Sequence, residues 1–350
     1  MTEPAILNEF TLNHHHFSHT LTEAQTFLHA ARAGDILFIE GPTKVGRQTL
    51  IRRLFKEEVL PLRAEMEQNQ ELMPVVVLQA PPMIQPETYL RDLLNRLTEE
   101  LIPETNEDKQ RVMFGGYEIL DDSASNDKRR RRVEILLQAR GTRTLIIYNA
   151  HYLTPQISTR NRQYRSMLDI LQALAEFGNT RLVLVGNYGT FDADRISTSV
   201  LSRSSVIELP AYRVAESEEA AGHWSDAVHA LAGMLPPAFQ REVLKCEGLV
   251  LDGSLGCVGL LVEWLRRAYL LKQRSSSDTS FVACLEKTQY SYNQLLALSN
   301  DLYKEPSWEQ NPRKLLRRKL GIVKTSESPK QKRRPGQRNP MRDPVGGPAT

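Results

Sequence analysis

Nine residues, Gly41-Pro42-Thr43-Lys44-Val45-Gly46-Arg47-Gln48-Thr49, constrain this chain more than any other stretch. An apolar run, Ile36 to Ile39, precedes them, and Leu50, Ile51, Leu54 and Phe55 follow at a spacing that suits a helix. Strand, glycine loop and helix in that order form a phosphate-binding loop, in which backbone N–H groups and the positive helix end face an anion. The usual pattern is G-x-x-x-x-G-K-[ST]. Here Arg47 holds the place of the lysine and Gln48 that of the magnesium-binding hydroxyl. Both departures strike chemistry and leave the turn intact. A guanidinium grips phosphate as a planar fork and is not interchangeable with an ammonium. Lys44, inside the loop, is a lesser phosphate contact, because loop lysines usually point to solvent.

Around this loop the chain alternates strands with helices. After the loop helix come Val75 to Leu78, closed by Ala80-Pro81-Pro82, and then a helical pattern from Pro86 to Leu101. Residues 103–127 read as a long polar loop, followed by a helix that starts at Lys128. Further strands are expected at Thr144–His151, Arg181–Asn187 and Val206–Leu209, with a helix at Arg165–Phe177 between the first two. This alternation specifies a three-layer α/β fold on a parallel sheet. From about residue 214 the strand signal ends. Helical patterns take over at Trp224–Met234, Pro236–Cys246, Leu255–Lys272 and Ser280–Asn300. The expected divisions are a helical N-terminal segment (1–34), the α/β domain (35–213), a helical domain (214–303) and a basic, largely disordered tail (304–350).

The tail stands out by charge. The whole chain of 350 residues carries a net charge of only +3, yet the part from Lys304 onward carries +9 and the rest −6. A basic tail on a mildly acidic body points to a polyanion or an acidic protein partner, or serves only for solubility. No apolar run reaches the length of a membrane span and no signal peptide opens the chain, so a cytoplasmic location is expected. Cys246, Cys257 and Cys284 lack metal spacing and read as reduced, buried thiols. His14, His15, His16 and His19 lie too close along the chain to face one ion together, and read as a loop or helix-entry segment ahead of a helix pattern at Leu21–Ala33. His151 and His229 read as ordinary polar positions.

The tip of the third strand is Tyr148-Asn149, where a hydrolysing P-loop protein places an aspartate for magnesium and a glutamate for the attacking water. Neither residue is anionic at neutral pH. Asn149 can orient a water but cannot take its proton. Four ordered stretches, G-P-T-x-V-G, V-V-V-L-Q-A-P-P, L-I-I-x-x-A-H-x-L and L-V-L-V-G-N, resemble the TniB/TnsC family of AAA+ transposition regulators over about residues 20–300. The resemblance implies an AAA+ P-loop fold in which the helical domain is a lid. It also implies ATP with Mg2+ as ligands, assembly around duplex DNA as a homo-oligomer or mixed AAA+ assembly, and a link between a target-selection protein and a transposase. By the same resemblance Gly41 to Thr49 match Walker A, Tyr148 and Asn149 match Walker B, and Asn187 matches sensor 1. Arg203 falls where relatives place an arginine near a subunit boundary, and Gly253-Ser254-Leu255-Gly256 falls at the sensor-2 turn. The departures at 47, 48, 148 and 149 count against hydrolysis and against bound ATP and Mg2+, so a pseudo-ATPase is expected.

Lys128-Arg129-Arg130-Arg131-Arg132 is the second charged feature. Basic residues at a helix N-terminus oppose the helix dipole, which favours a contact with a DNA phosphate backbone over a solvated helix start. The leading expectation is therefore a DNA-binding AAA+ adaptor without turnover. Two alternatives stay open: a working ATPase that uses Arg47 and Lys44, and a P-loop scaffold with no DNA role.

Overall fold

The computed structural model describes residues 6, 10–83, 85, 88–102, 124–153, 161–191, 196–275 and 279–302. Met1–Tyr303 forms one compact unit, and the remaining unit, Lys304–Thr350, lies outside the described residues together with the expected basic tail. The segment 103–123, expected as a loop, also lies outside them.

Among the described residues the strands are β1 (Ile36–Glu40), β2 (Val75–Gln79), β3 (Thr144–Tyr148), β4 (Arg181–Gly186) and β5 (Ser204–Glu208). They pair in parallel in the order β2-β3-β4-β1-β5. Every residue of β1 is buried, which its unbroken apolar run requires of a strand covered on both faces. Successive side chains point to opposite faces, and the two cores follow that alternation. Ile36, Phe38, Leu145, Ile147, Leu182 and Leu184 face one layer, formed by α4 (Tyr89–Leu101), α5 (Asn126–Ala139) and α6 (Asn161–Phe177). Leu37, Ile39, Ile146, Val183 and Val185 face the other, formed by α1 (His15–Ala30) and α2 (Arg47–Val59). A 3-10 turn at Leu60–Leu62 and the short α3 (Arg63–Gln68) return the chain to β2. The short α7 (Thr198–Ser202) leads into β5.

The helical domain has its own core. Helices α8 (Glu218–Ala232), α9 (Pro237–Leu244), α10 (Glu247–Ser254), α11 (Val258–Arg274), α12 (Phe281–Thr288) and α13 (Tyr292–Leu302) follow in order. Trp224, Trp264 and Phe281 are buried at its centre, where the Trp264 indole donates to the Leu285 carbonyl at 3.0 Å. A three-layer parallel sheet with the loop after β1 and a C-terminal helical lid is the AAA+ architecture expected from the sequence. Among the described residues no single helix is long and apolar enough to cross a membrane.

Some boundaries differ from the sequence reading. The helix expected at Leu21 begins at His15, so most of the histidine run lies on its first turns. The reason is tertiary. His14 bonds the Tyr212 hydroxyl at 2.9 Å, the His16 ring stacks on Tyr212 at 4.0 Å and bonds the Pro210 carbonyl, and His15 stacks on His223 of α8 at 3.7 Å. These rings fasten α1 to the junction between sheet and lid, and among the described residues no metal-binding cluster forms. Ser280–Asn300, read as one helix, is two helices broken at Gln289–Ser291, and α10 carried no clear signal.

Burial, with the nearby positive charges of His16 and His15, pushes His14 down from 6.5 to about 4. Burial also lowers His16. A histidine held below its ordinary value stabilises the fold fully above pH 6.5, and that contribution is lost as the pH falls toward 4. For His14 alone the loss amounts to about 2 kcal/mol by about pH 5. The stability of His14→Gln, followed by denaturant melts, is expected to fall less steeply than wild type across that interval; an equally steep fall would contradict the assignment.

Candidate functional site

The strands end in step. Glu40 lies beside Gly186 and Glu208, and Tyr148 beside Gln79 and Val185. Gly41, Asn149 and Asn187 each follow one of these strand ends, so residues far apart in sequence meet on a single rim. In open parallel sheets this carboxyl rim is where ligands bind.

The loop's path depends on two glycines. A Cβ on Gly41 would stand 2.5 Å from the Leu209 carbonyl oxygen, and Gly46 has a φ of 114° as it opens α2. Lys44 also turns through the left-handed region, at 68°. The first turn of α2 contains no acid and presents Arg47, whose guanidinium donates to the Asn187 side-chain oxygen. The positions matched to the Walker A lysine and to sensor 1 are thereby joined directly. Below them Glu40 is buried and accepts a 2.9 Å bond from the Phe191 amide, which anchors the loop carrying Asn187. Burial, then Glu208, pushes the Tyr188 hydroxyl of that loop well above its usual range.

The lid closes over this rim through α11. A Cβ on Gly259 would fall 1.8 Å from the Lys44 carbonyl oxygen, so helix and loop touch backbone to backbone. One turn on, Glu263 pairs with the Lys44 ammonium at 3.0 Å. Burial works against the Glu263 charge, but the Lys44 bond and the nearby Arg267 outweigh it and hold the carboxyl below its usual range. Between loop, lid and N-terminal segment lies a cavity of about 630 Å³. Its lining mixes the apolar Phe10, Leu12, Phe17 and Val262 with the cationic Lys44, Arg47, Arg52 and Arg266. The Arg266 guanidinium lies over the Phe10 ring at 5.6 Å and donates to the Ile6 carbonyl.

The cavity fits a phosphate-bearing ligand but does not fit magnesium. At the hydroxyl position stands Gln48, while Thr49 lines the cavity one residue later. The Tyr148 hydroxyl donates to Gln79 at 3.1 Å, and Asn149 reaches the cavity with a φ of 55°. Hard divalent cations want several oxygens, carboxylates above all. The carboxylate lining this cavity, Glu263, is already engaged by a lysine.

One residue singled out above is engaged within the chain, and one sequence expectation needs correction. Arg203 sits at the opposite rim, where it pairs with Asp35 at 3.2 Å and Glu176 at 3.1 Å and donates to the Ala33 carbonyl. Its guanidinium is occupied within its own chain, as a staple between the ends of β1 and α6. Arg129 is buried and points inward, bonding Asn95 at 2.5 Å and the Ala124 carbonyl at 3.2 Å. Arg130 pairs with Glu134 at 3.1 Å, and Arg132 is half-buried. Lys128 and Arg131 remain exposed on one face. Nor does α5 begin with cations: Ser125 caps it by accepting from the Lys128 amide, and Asp127 lies in its first turn. The inward turn of Arg129 was available in the sequence, since it lies four residues before Val133 on the stripe continued by Leu136, Leu137 and Arg140. Glu40, Glu263 and the apolar lining residues from Phe10 to Phe17 match no motif, and only a glycine at the start of α11 hints at a close approach.

Replacing Gly259 by Ala would force the lid off the loop, at a cost of about 2 kcal/mol or more. Gly248→Ala in α10 serves as the control, because its Cβ would meet open space, and should be neutral or stabilising by up to about 1 kcal/mol. Denaturant midpoints separate the two; equal effects would contradict the contact.

The sequence matches no protein-family model, and no curated protein matches it at significance. Solved structures do resemble the chain. They include the Walker-type ATPase of Pyrococcus abyssi, with 14% identity over 87% of this chain and 76% of that one and a TM-score of 0.48. The ORC1 protein of Aeropyrum pernix, in complex with DNA, has 13% identity over 84% and 67% and a TM-score of 0.47. Cdc6p from Pyrobaculum aerophilum has 14% identity over 87% and 90% and a TM-score of 0.48. Likenesses of this size do not reach ligands or partners, and the AAA+ architecture rests on the strand order, the loop and the lid.

Proposed function

We propose that this chain is a non-hydrolysing AAA+ adaptor that assembles on duplex DNA and connects a target-selection protein to a transposase. The observation that carries the reading is a phosphate loop complete in shape beside a β3 tip without a carboxylate. Position by position, the side chains that would hold magnesium and take a proton from water are Gln48, Tyr148 and Asn149. General-base catalysis needs a proton acceptor within reach, and neither a phenol bonded to Gln79 nor an amide provides one. The transposition role rests on the family resemblance of the four strand-end motifs. For DNA the support is the exposed face of α5, where Lys128 and Arg131 lie one turn apart at the end of the helix nearest the strand tips. The tail from Lys304, at +9, supplies a further polyanion or partner contact.

Steady-state phosphate release should stay near background with and without DNA. Robust turnover abolished by Arg47→Ala or Lys44→Ala would establish a working ATPase instead. Binding to duplex DNA should be indifferent to sequence and strongly dependent on salt. In the full chain, Lys128→Ala with Arg131→Ala should reduce the log-log salt slope by about one to two and lower affinity alike on all sequences. Arg129→Ala should instead cost stability, because it removes a buried partner of Asn95. An unchanged slope in the double variant would remove α5 as the DNA contact.

A further inference from the structure

We infer that the cavity between loop and lid takes a nucleoside diphosphate or triphosphate without a divalent metal, and that the phosphates take Lys44 away from Glu263. The inference rests on the reading of the chain as a scaffold that does not hydrolyse nucleotide, and adds to it the ligand and what the ligand displaces.

The cavity has the size and mixed lining of a nucleotide site. At about 630 Å³ it lies within the range of small-molecule sites, roughly 300–1,000 Å³. Its lining includes the apolar side chains Phe10, Leu12 and Val262, which suit a base, beside the phosphate loop and its amides. The charge balance is unlike that of a magnesium site. Four cationic side chains, Lys44, Arg47, Arg52 and Arg266, line the cavity against one carboxylate, Glu263. In a metal-dependent site much of the phosphate charge is met by the ion, which needs carboxylate or hydroxyl ligands. Here those ligand positions are replaced, and arginines stand around the loop. An arginine fork meets two phosphate oxygens at once, so it supplies both charge and orientation where an ion would otherwise do so.

Glu263 already occupies an anion's place. It reaches the ammonium of the one lysine inside the phosphate loop, at 3.0 Å, from a helix that touches that loop through Gly259. Loop and lid are thus held together by an internal carboxylate on a phosphate-binding group. A polyphosphate entering the loop competes for the same ammonium, and releases Glu263 toward Arg267 on its own helix. Ligand entry and lid position are therefore coupled through one ion pair.

The test uses the full chain with fluorescent ADP and ATP analogues, titrated in excess EDTA and again in excess magnesium, with adenosine as control. Affinity should be the same within about twofold in the two buffers, and adenosine should bind much more weakly. Glu263→Gln should tighten binding about threefold by removing the competitor, in keeping with a part-exposed ion pair. Arg47→Ala should weaken it at least about tenfold, as expected on losing a charged hydrogen bond. Melting curves without ligand confirm that both variants fold, and Arg52→Ala provides a second phosphate-side variant if Arg47→Ala does not. Binding that appears only with magnesium would overturn the inference, and so would absence of binding in both buffers. Salt-dependent DNA binding, read on the same preparation without nucleotide, keeps that failure distinct: its persistence leaves the adaptor reading standing.

Discussion

The approach of Gly259 to the carbonyl of Lys44 is the contact on which the functional half of this structure depends. Two backbones meet there with no side chain between them, so the start of the lid's long helix is positioned directly against the phosphate loop. From that point the helix direction sets everything above the rim. Glu263 comes one turn later to meet Lys44, Val262 joins the cavity lining, and Arg266 reaches across to Phe10 and Ile6. The lid is consequently part of the site. Without it the loop would be an open rim, where solvent screens each cation and an arginine contact is worth little.

The replaced chemistry left the fold untouched for a plain reason. The residues at 47, 48, 148 and 149 stand beyond or at the strand ends, while the sheet is held by the alternating apolar residues behind them. The new side chains also satisfy one another. Arg47 reaches Asn187 and Tyr148 reaches Gln79, so these polar groups address their neighbours. A rim wired this way holds its polar side chains in fixed positions.

Most of the sheet was legible because strands buried on both faces are continuous apolar runs, and the prolines and glycines that close them are hard to mistake. The lid was readable as helical but poorly divided. Its break at Gln289–Ser291 carries neither glycine nor proline, and α10 includes two glycines, so local preference says little and packing decides. The start of α1 was missed because histidines have no strong preference, and their partners Tyr212 and His223 lie some two hundred residues away. In the site, the loop was legible as a motif. The partners of Arg203 were not, because a sequence shows a charge and hides its partner, and the charge of Arg129 masked its place on an inward stripe. Asp35 and Glu176 hold Arg203, and Asn95 holds Arg129, from within the chain.

Cys257 gives this arrangement a chemical handle. It lies at the turn into the lid helix, buried, with its sulfur 3.8 Å from the carbonyl oxygen of Thr43 in the phosphate loop. Burial pushes its thiol up to about 11, so at neutral pH almost none is the thiolate that electrophiles attack. Opening the lid would expose the sulfur and return it toward ordinary acidity in a single movement. The rate at which an alkylating reagent modifies this position therefore counts lid openings, with Cys284, deep in the lid's own core, marking the slower event of unfolding.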